Sequence, residues 1–581
     1  RLPSEIRAML IGPGAPFELT REKVRGVEMT VFARRPPHLP ALLQTAAQSF
    51  GDRPYLVFPD RTTTFAEAAG TAARLAALLR DSYGVRKGDR VALVGANSVE
   101  YALTFWATAW LGAVSVGLNG WWTGSEMAYG LRLTQPKLLF GDDRRLARLT
   151  GAPDDARGDQ TPGGDSNDTS GADGTDVPTM LFTELFEELA RRGEDAPALA
   201  PEGLDEDDPV AILFTSGTSG FPKGAVITHR ALVNFSMDAA LRGAVDALAP
   251  PPEPYDQPAQ PPLPPPAAPV AVTSAPYFHV SGLAPLVAHS PRNGITLVYP
   301  PAGRWDAGAH LELSARYEAT NWTAVPTQLW RLLEHPDFDP RRLASLRGIG
   351  CGGAALPPEL IRLLDEALPG RNIANGYGMT ETCGLGTANS AWRLRANPAS
   401  VGVATPTSEV MLRDQDGREI PDGSGEVGEI WIRNPSTLLC YWDDEEATAE
   451  ALDGDGWYRT GDYGRIVDGM LHLESRMRDL IIRGGENVYP IEVENRLAAH
   501  PDIADAAVIG LPHRELGQQV VAVVVRRPGS AVTAEEVRAW VAAVLAPFKV
   551  PAEVRFVDSL PYNATGKLLK RELERTLAGS A

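Results

Sequence analysis

The chain has 581 residues, too many for one hydrophobic core, so two or more domains are expected. Its 74 acidic residues against 55 basic ones leave a formal net charge of −19, which argues against nucleic acid and against an anionic membrane surface as partners. Any polyanionic substrate must therefore be held by local positive groups working against the field of the whole molecule. The hydrophobic fraction of 44% and charged fraction of 22% are those of a soluble globular protein.

From the N-terminus, "RLPSEIRAML" lacks a long apolar stretch, so no secretory leader is expected. The uncharged run from 101 to 125 is long enough to cross a membrane, but Gly112 divides it. Asn97 with Glu100 reads as a capping box opening a helix, and "AVSVGL" after Gly112 reads as a buried strand, so no integral membrane segment is expected. Residues 154–178 are acidic and rich in Gly and Asp, and 249–269 are dominated by proline. Neither can bury enough apolar surface to offset chain entropy, and both read as surface insertions.

Elsewhere strands and helices alternate. "VAILF" (210–214) feeds a loop, "AVITH" follows it, and a helical pattern starts at Arg230. "NWTAV" runs into Pro326, a good first helical residue, and "LRGIG" leads to "PPELIRLLDEAL". This is the traffic of an α/β core with parallel strands. After about residue 400, "EVMLRDQDGREI" and "GRIVDGMLHLE" read as hairpins, the second turning at Asp468 and Gly469. Past Asp479 comes a small α+β unit. The expected architecture is α/β: a large N-terminal domain, 1–477, with parallel-rich sheets and a β-barrel-like part, and a small mobile α+β domain, 478–581. Cys351, Cys383 and Cys440 form no CxxC or Cys/His cluster, so neither zinc nor a disulfide framework is expected, and a reducing cytoplasm is the simplest setting.

The loop "TSGTSGFPKG" combines small donors, glycines and one cation after a strand, which suits an anion. Gly217, Gly220 and Gly224 permit positive φ and close approach of a ligand. Thr215, Ser216, Thr218 and Ser219 add hydroxyl donors, and Lys223 adds a point charge. It is not a Walker A loop, because Pro222 precedes the lysine and Gly224 follows it.

This loop, followed in order by "NGYGMTET" (375–382), "YRTGD" (458–462), "RMRDLIIRGGENVYPIEVE" (476–494) and "PYNATGK" (561–567), resembles the acyl-CoA synthetases of the acyl-adenylate-forming superfamily. The resemblance implies ATP, Mg²⁺ and coenzyme A as cosubstrates and cofactor, and a small-molecule carboxylic acid as the group activated. It implies that Thr215, Ser216, Gly217, Thr218, Ser219, Gly220 and Lys223 cradle the β and γ phosphates, that Thr380 contacts the α-phosphate and that Glu381 holds the metal. Asp462 would hold the ribose hydroxyls with Arg476 beside it. Gly352, Gly353 and Ala354, with Asn375, Gly376 and Tyr377 and the following Gly378 and Met379, would flank the nucleotide. Lys567 matches the mobile-domain lysine of the adenylation step, Arg478 the hinge, and Gly485 the glycine lining the pantetheine tunnel. "PYFHVSGL" (276–283) resembles the acyl entry, with His279 as an aromatic gate that positions rather than transfers protons. Val325, Trp330, Tyr377, Met379 and Leu385 are expected in the acyl wall, whereas Trp121 and Trp122 read as core, with pocket wall as the alternative.

The sequence departs from the resemblance at Gly117, at Cys440 and in "VGVATP", none of which lies in the phosphate loop or at Lys567. Three functions stay open at this stage. The first is a ligase joining a hydrophobic acid to coenzyme A. The second is an enzyme of one half-reaction, serving an acyl carrier protein or a supplied acyl-adenylate. The third is a catalytically silent adenylate-binding protein. A homodimer is compatible with each.

Overall fold

The computed structural model describes residues 4–149, 176–193, 197–216, 222–248, 268–352, 356–476, 479–483, 486–514, 516–545, 547–562 and 568–578. Most of both low-complexity insertions, and the residue pair 477/478 at which the sequence divides the domains, lie outside these residues.

Two parallel-rich sheets form the large part of the chain. The six-stranded sheet runs in the order Pro222–Thr228, Pro209–Ser216, Val114–Gly117, Arg90–Val94, Leu138–Gly141, Thr179–Leu181. Only its first pair is antiparallel; the others are parallel. Its strands are short, apolar and buried on both faces, as parallel strands covered by helices must be. The nine-stranded sheet is parallel from Pro54–Val57 through Thr296–Val298, Val270–Val272, Asn321–Ala324 and Gly348–Cys351 to Asn372–Tyr377, with antiparallel strands at both ends. Pro326 is indeed at the start of the helix that follows Asn321–Ala324.

The barrel-like part expected after residue 400 is a five-stranded antiparallel sheet. Its hairpin Tyr458–Val467/Met470–Arg476 turns at Asp468 and Gly469, both at positive φ, the geometry an Asp-Gly pair supplies. The C-terminal α+β unit pairs Ile503–His513 with Gly517–Arg526 antiparallel and adds Glu553–Phe556 in parallel. Helices Pro490–Ala498 and Ala534–Ala542 bury Val493, Leu497, Val537 and Val541 in this unit's own core.

One element starts differently from the sequence reading. The helix Val99–Trp110 is capped by Ser98, whose side chain accepts from Tyr101 N–H; Asn97 and Glu100 form no capping box. Asn97 is drawn elsewhere: its amide donates to Ala275 O at 2.8 Å and accepts from Tyr277 N–H at 3.0 Å. A tertiary demand for those two backbone groups outweighs the local cap. The helix ends at Gly112, φ +67°, and Val114–Gly117 follows as the expected strand. Gly117 has no room for more, since a Cβ there would lie 3.2 Å from the Phe278 backbone. Among the described residues no helix is long and apolar enough to cross a membrane.

The two main layers are tied at Tyr55. Its hydroxyl accepts from Trp106 Nε1–H at 3.1 Å and donates to Leu286 O at 2.6 Å, so one buried oxygen joins a strand, a helix and the segment bordering the acyl-entry motif. Tyr55→Phe leaves the indole N–H and the carbonyl unpartnered. We expect it to lower stability by about 1–3 kcal/mol, read as a shift of the urea unfolding transition.

Candidate active site

The hairpin at the edge of the six-stranded sheet places the phosphate-loop residues. Its register sets Ser216 opposite Pro222, Thr215 opposite Lys223 and Phe214 opposite Gly224, so residues 217–221 are the connection between two fixed ends. Gly217, Thr218, Ser219 and Gly220 lie outside the described residues. Thr215 and Lys223 sit directly across the ladder, where side chains share one face, and both line a cavity of 3410 Å³. Gly224 does not serve the purpose read from the sequence. It lies in the strand without positive φ, and a Cβ there would come within 2.8 Å of Ile212 Cγ2. Close packing, and not a phosphate nest, requires glycine at that position.

Across the cavity the strand Asn372–Tyr377 runs into a tight turn, Thr380–Thr382, that ends with Cys383 and Gly384 in the left-handed region. Gly378 is needed for this turn, since a Cβ would meet the Gly384 backbone at 2.4 Å. The turn carries Thr380 and Glu381 into the cavity. Glu381 is only 8% exposed, and Tyr441 Oη donates to its Oε1 at 3.0 Å. Tyr441 lies 3.2 Å from the Tyr458 hydroxyl, and Lys223 Nζ lies 5.3 Å from the centre of the Tyr441 ring. Burial, reinforced by the Glu381 carboxylate, raises the pKa of both tyrosines well above the ordinary phenol range, so they stay neutral hydrogen-bond donors. A carboxylate and an ammonium group are thus anchored on the same tyrosine.

Asn375, Gly376, Gly378, Met379 and Gly352 also line the cavity; Gly353 and Ala354 lie outside the described residues. Asn375 is buried and its Oδ1 has no hydrogen-bond partner, an acceptor left for a ligand donor. Asp462 lines the cavity and accepts from Tyr377 Oη at 2.8 Å; Arg476 is its register partner on the next strand. Tyr377 itself is not in the wall. Its ring packs with Val401, Leu412 and Ile430, and only its hydroxyl serves the site, by holding Asp462.

Of the residues assigned to the acid, His279, Val325, Trp330 and Met379 line the cavity. Leu385 does not: it is buried behind the Thr380 turn, and its carbonyl accepts from Asn434. Its apolar character belongs to packing. Trp121 is also reassigned. It is 40% exposed, lies in the cavity wall and meets Phe278 edge-on at 4.8 Å, whereas Trp122 packs against Phe214 in the core as expected.

The C-terminal unit closes one side of the same cavity. Arg527 pairs with Glu334 at 3.2 Å and lies over the Trp330 ring at 5.4 Å. Lys567, Arg478 and Gly485 lie outside the described residues. The ends of the segment that holds Lys567 are placed, however. Tyr562 and Leu568 form an antiparallel bridge, Leu569 N–H donates to Pro561 O at 2.9 Å, and Tyr562 and Leu568 both line the cavity. Tyr562 Oη donates to Asp505, whose carboxyl is pushed up to about 6 by burial.

Sequence reasoning missed the two tyrosines at Glu381. Tyr458 opens the "YRTGD" motif and was open to discovery on that ground; Tyr441, in "LLCYW", carries no local signal.

A family model described as "AMP-binding enzyme" matches residues 43–442, and one described as "AMP-binding enzyme C-terminal domain" matches 492–567. The chain belongs to the AMP-binding enzyme family. It is 34% identical over 526 residues to an indoleacetate–CoA ligase of Aromatoleum aromaticum, covering 90% of this chain and 94% of that one. It is 34% identical over 522 residues to a feruloyl-CoA synthase of an Amycolatopsis species, covering 88% and 93%. The structure of ATP-bound MatB from Rhodopseudomonas palustris superposes with a TM-score of 0.76 at 29% identity, covering 93% of this chain and 99% of that one.

In this AMP-binding enzyme Tyr377→Phe removes the hydrogen bond that orients Asp462. A charge-assisted bond of this kind contributes about 1.5–3 kcal/mol, so AMP should bind at least about tenfold more weakly in calorimetric titration.

Proposed function

We propose that this AMP-binding enzyme is an ATP-dependent acid–CoA ligase that activates a hydrophobic carboxylic acid as its acyl-adenylate and passes the acyl group to coenzyme A. The observation that carries this reading is the convergence of Lys223, Thr380, Glu381 and Asp462 on one cavity, with the cation and the buried carboxylate anchored on Tyr441. The names of the similar proteins, both CoA-thioester-forming, and the ATP-bound neighbour support it.

A free carboxylate is a poor acyl donor because its leaving group would be oxide. In the proposed first step a carboxylate oxygen bonds to the α-phosphorus of ATP, the α–β bridging bond breaks, and pyrophosphate leaves with the electron pair. In the second, the sulfur of the coenzyme A thiolate bonds to the acyl carbon, the bond to the AMP oxygen breaks, and AMP leaves. Charge accumulates on phosphate oxygens in the first step. Donors in the cavity wall, Thr380 and Lys223, stabilise it, and Lys567 is assigned the same role from the small domain.

Among the described residues no group of three or more His, Cys, Asp or Glu side chains forms a metal cluster. The single carboxylate of Glu381 fits a hard cation whose other ligands are phosphate oxygens and water, as Mg²⁺ is held. When bound, Mg²⁺ neutralises charge on the phosphates. The protein's part is to hold Glu381 in place through Tyr441 and Tyr458.

Two half-reactions in one cavity require the small domain to change pose. We assign that motion to a hinge at Arg478, between a body of 1–477 and a domain of 478–581, with Gly485 lining the thiol path in the second pose. Coenzyme A is the proposed acceptor; an acyl carrier protein would present the same phosphopantetheine thiol. We assign the reaction to the cytoplasm, the simplest setting for three cysteines without a CxxC or Cys/His pattern.

Lys567→Ala should slow acid-dependent ATP–pyrophosphate exchange by about 10²–10³-fold while thioester formation from supplied acyl-adenylate changes far less. Exchange at the parent rate would defeat the assignment of this lysine. Tyr441→Phe should raise the Mg²⁺ concentration needed for half-maximal exchange by about tenfold or more, with a melting temperature near that of the parent.

A further inference from the structure

The helix His229–Leu248 gives the cavity one wall and provides a ruler along it. Phe235, Ala239, Ala240, Arg242, Gly243 and Asp246 line the cavity. Phe235 marks the reacting end, since a Cβ on Gly384, in the turn that carries Thr380 and Glu381, would sit 3.6 Å from its ring. Arg242 is seven residues farther along, a rise of roughly 10 Å. The strand Asn372–Tyr377 gives a second measure. Asn372 donates to Asp246 at 2.9 Å at the far end, and Asn375 lies three residues, again roughly 10 Å, nearer the nucleotide side. Between the two ends the helix offers only small side chains, and a Cβ on Gly243 would meet nothing within 4 Å. The cavity therefore extends from the reacting end down to Arg242.

Arg242 is half-buried in the cavity wall; desolvation lowers its pKa, and the charges of Asp246 and Asp238 pull it back up. No carboxylate among the described residues lies within ion-pairing distance of it. Two acids flank it on its own helix and act on it through their charge, but neither is hydrogen-bonded to it, and each is bonded elsewhere. Asp246 accepts from Asn372 and from Ser390 Oγ at 2.9 Å and has Arg393 at 3.9 Å. Asp238 accepts from Thr407 Oγ1 at 2.7 Å, and burial pushes its carboxyl up to about 7 against the pull of the Thr407 bond and the Arg242 charge. From the facing segment His289 also lines the cavity. Burial, with the Arg242 charge nearby, pushes it down to about 4, so it is neutral. Asn293 Nδ2 is 3.2 Å from His289 Nδ1. With Nδ1 accepting that hydrogen, Nε2 carries the proton and is a second donor beside the guanidinium.

A guanidinium that faces a cavity without a hydrogen-bonded anion keeps its donors open, and its fork matches a carboxylate with two parallel hydrogen bonds. We infer that the acid this enzyme activates carries a second carboxylate, separated from the reacting one by an apolar body, and that Arg242, assisted by His289, receives it. The inference rests on the ligase reading and narrows its substrate class to dicarboxylic acids.

The test measures AMP release with coenzyme A present for chain-matched pairs, from butanoic and butanedioic acid to dodecanoic and dodecanedioic acid. The parent enzyme should favour the dicarboxylic member by at least about tenfold in kcat/KM, with an optimum at intermediate length. Arg242→Met should cut the dicarboxylic-to-monocarboxylic ratio by roughly a hundredfold, and Arg242→Lys by less, since an ammonium group keeps the charge but loses the fork. If the parent turns over monocarboxylic acids and refuses the dicarboxylic ones, or if Arg242→Met lowers both alike, the inference is overturned while the ligase reading stands. The parent comparison decides this even if the variant fails to fold. If no acid of either series releases AMP, the ligase reading falls and the inference with it.

Discussion

The site depends on one constraint: a buried carboxylate and an ammonium group must be held close without collapsing onto each other. Lys223 comes from a sheet strand and Glu381 from the turn after another sheet, and a direct ion pair between them would neutralise both and leave nothing for a polyphosphate or its metal ion. Tyr441 keeps them apart. Its hydroxyl satisfies one oxygen of Glu381 while its ring lies beneath Lys223, and Tyr458 is within hydrogen-bonding distance of it from behind. Each charge is paired with a dipole or a π face and remains available to a ligand.

Much of the surrounding fold is arranged to keep those partners in register. The antiparallel hairpin fixes Lys223 opposite Thr215, and the packing of Gly224 against Ile212 fixes the hairpin against its own sheet. The Thr380 turn is held by Gly378 lying against Gly384, where no side chain fits. Backbone N–H of Leu438 donates to Glu381 O at 2.7 Å, so the segment that supplies Tyr441 is bonded to the residue it orients. With a net charge of −19 the molecule repels phosphate at long range, and this local arrangement has to overcome that field.

The cavity is several times larger than the roughly 300–1,000 Å³ of an ordinary ligand pocket because it joins several compartments. The region at the Thr380 turn, the region along His229–Leu248 and the cleft beneath the C-terminal unit are continuous. That continuity suits chemistry in which one bound intermediate meets two different partners. It also explains why Trp330 serves two surfaces at once, the cavity wall and, through Arg527, the contact with the small domain.

The sequence by itself determined the order of strands and helices, the Asp-Gly hairpin, the parallel core, the α+β end and the family. These are set by local rules: side-chain period, turn chemistry, and short motifs whose residues are neighbours in the chain. Tertiary structure alone decided the placement of six residues. Asn97 was taken from its cap by the backbone of 275–277, and Leu385 and the Tyr377 ring were turned into core. Trp121 was placed in the cavity wall. Tyr441 was brought under Glu381 from sixty positions away, and Arg242 was carried into the cavity wall. A helix pattern says which residues share a face but not what stands opposite that face. Whether an arginine on that face meets a carboxylate or an open cavity is fixed only when distant strands close around it.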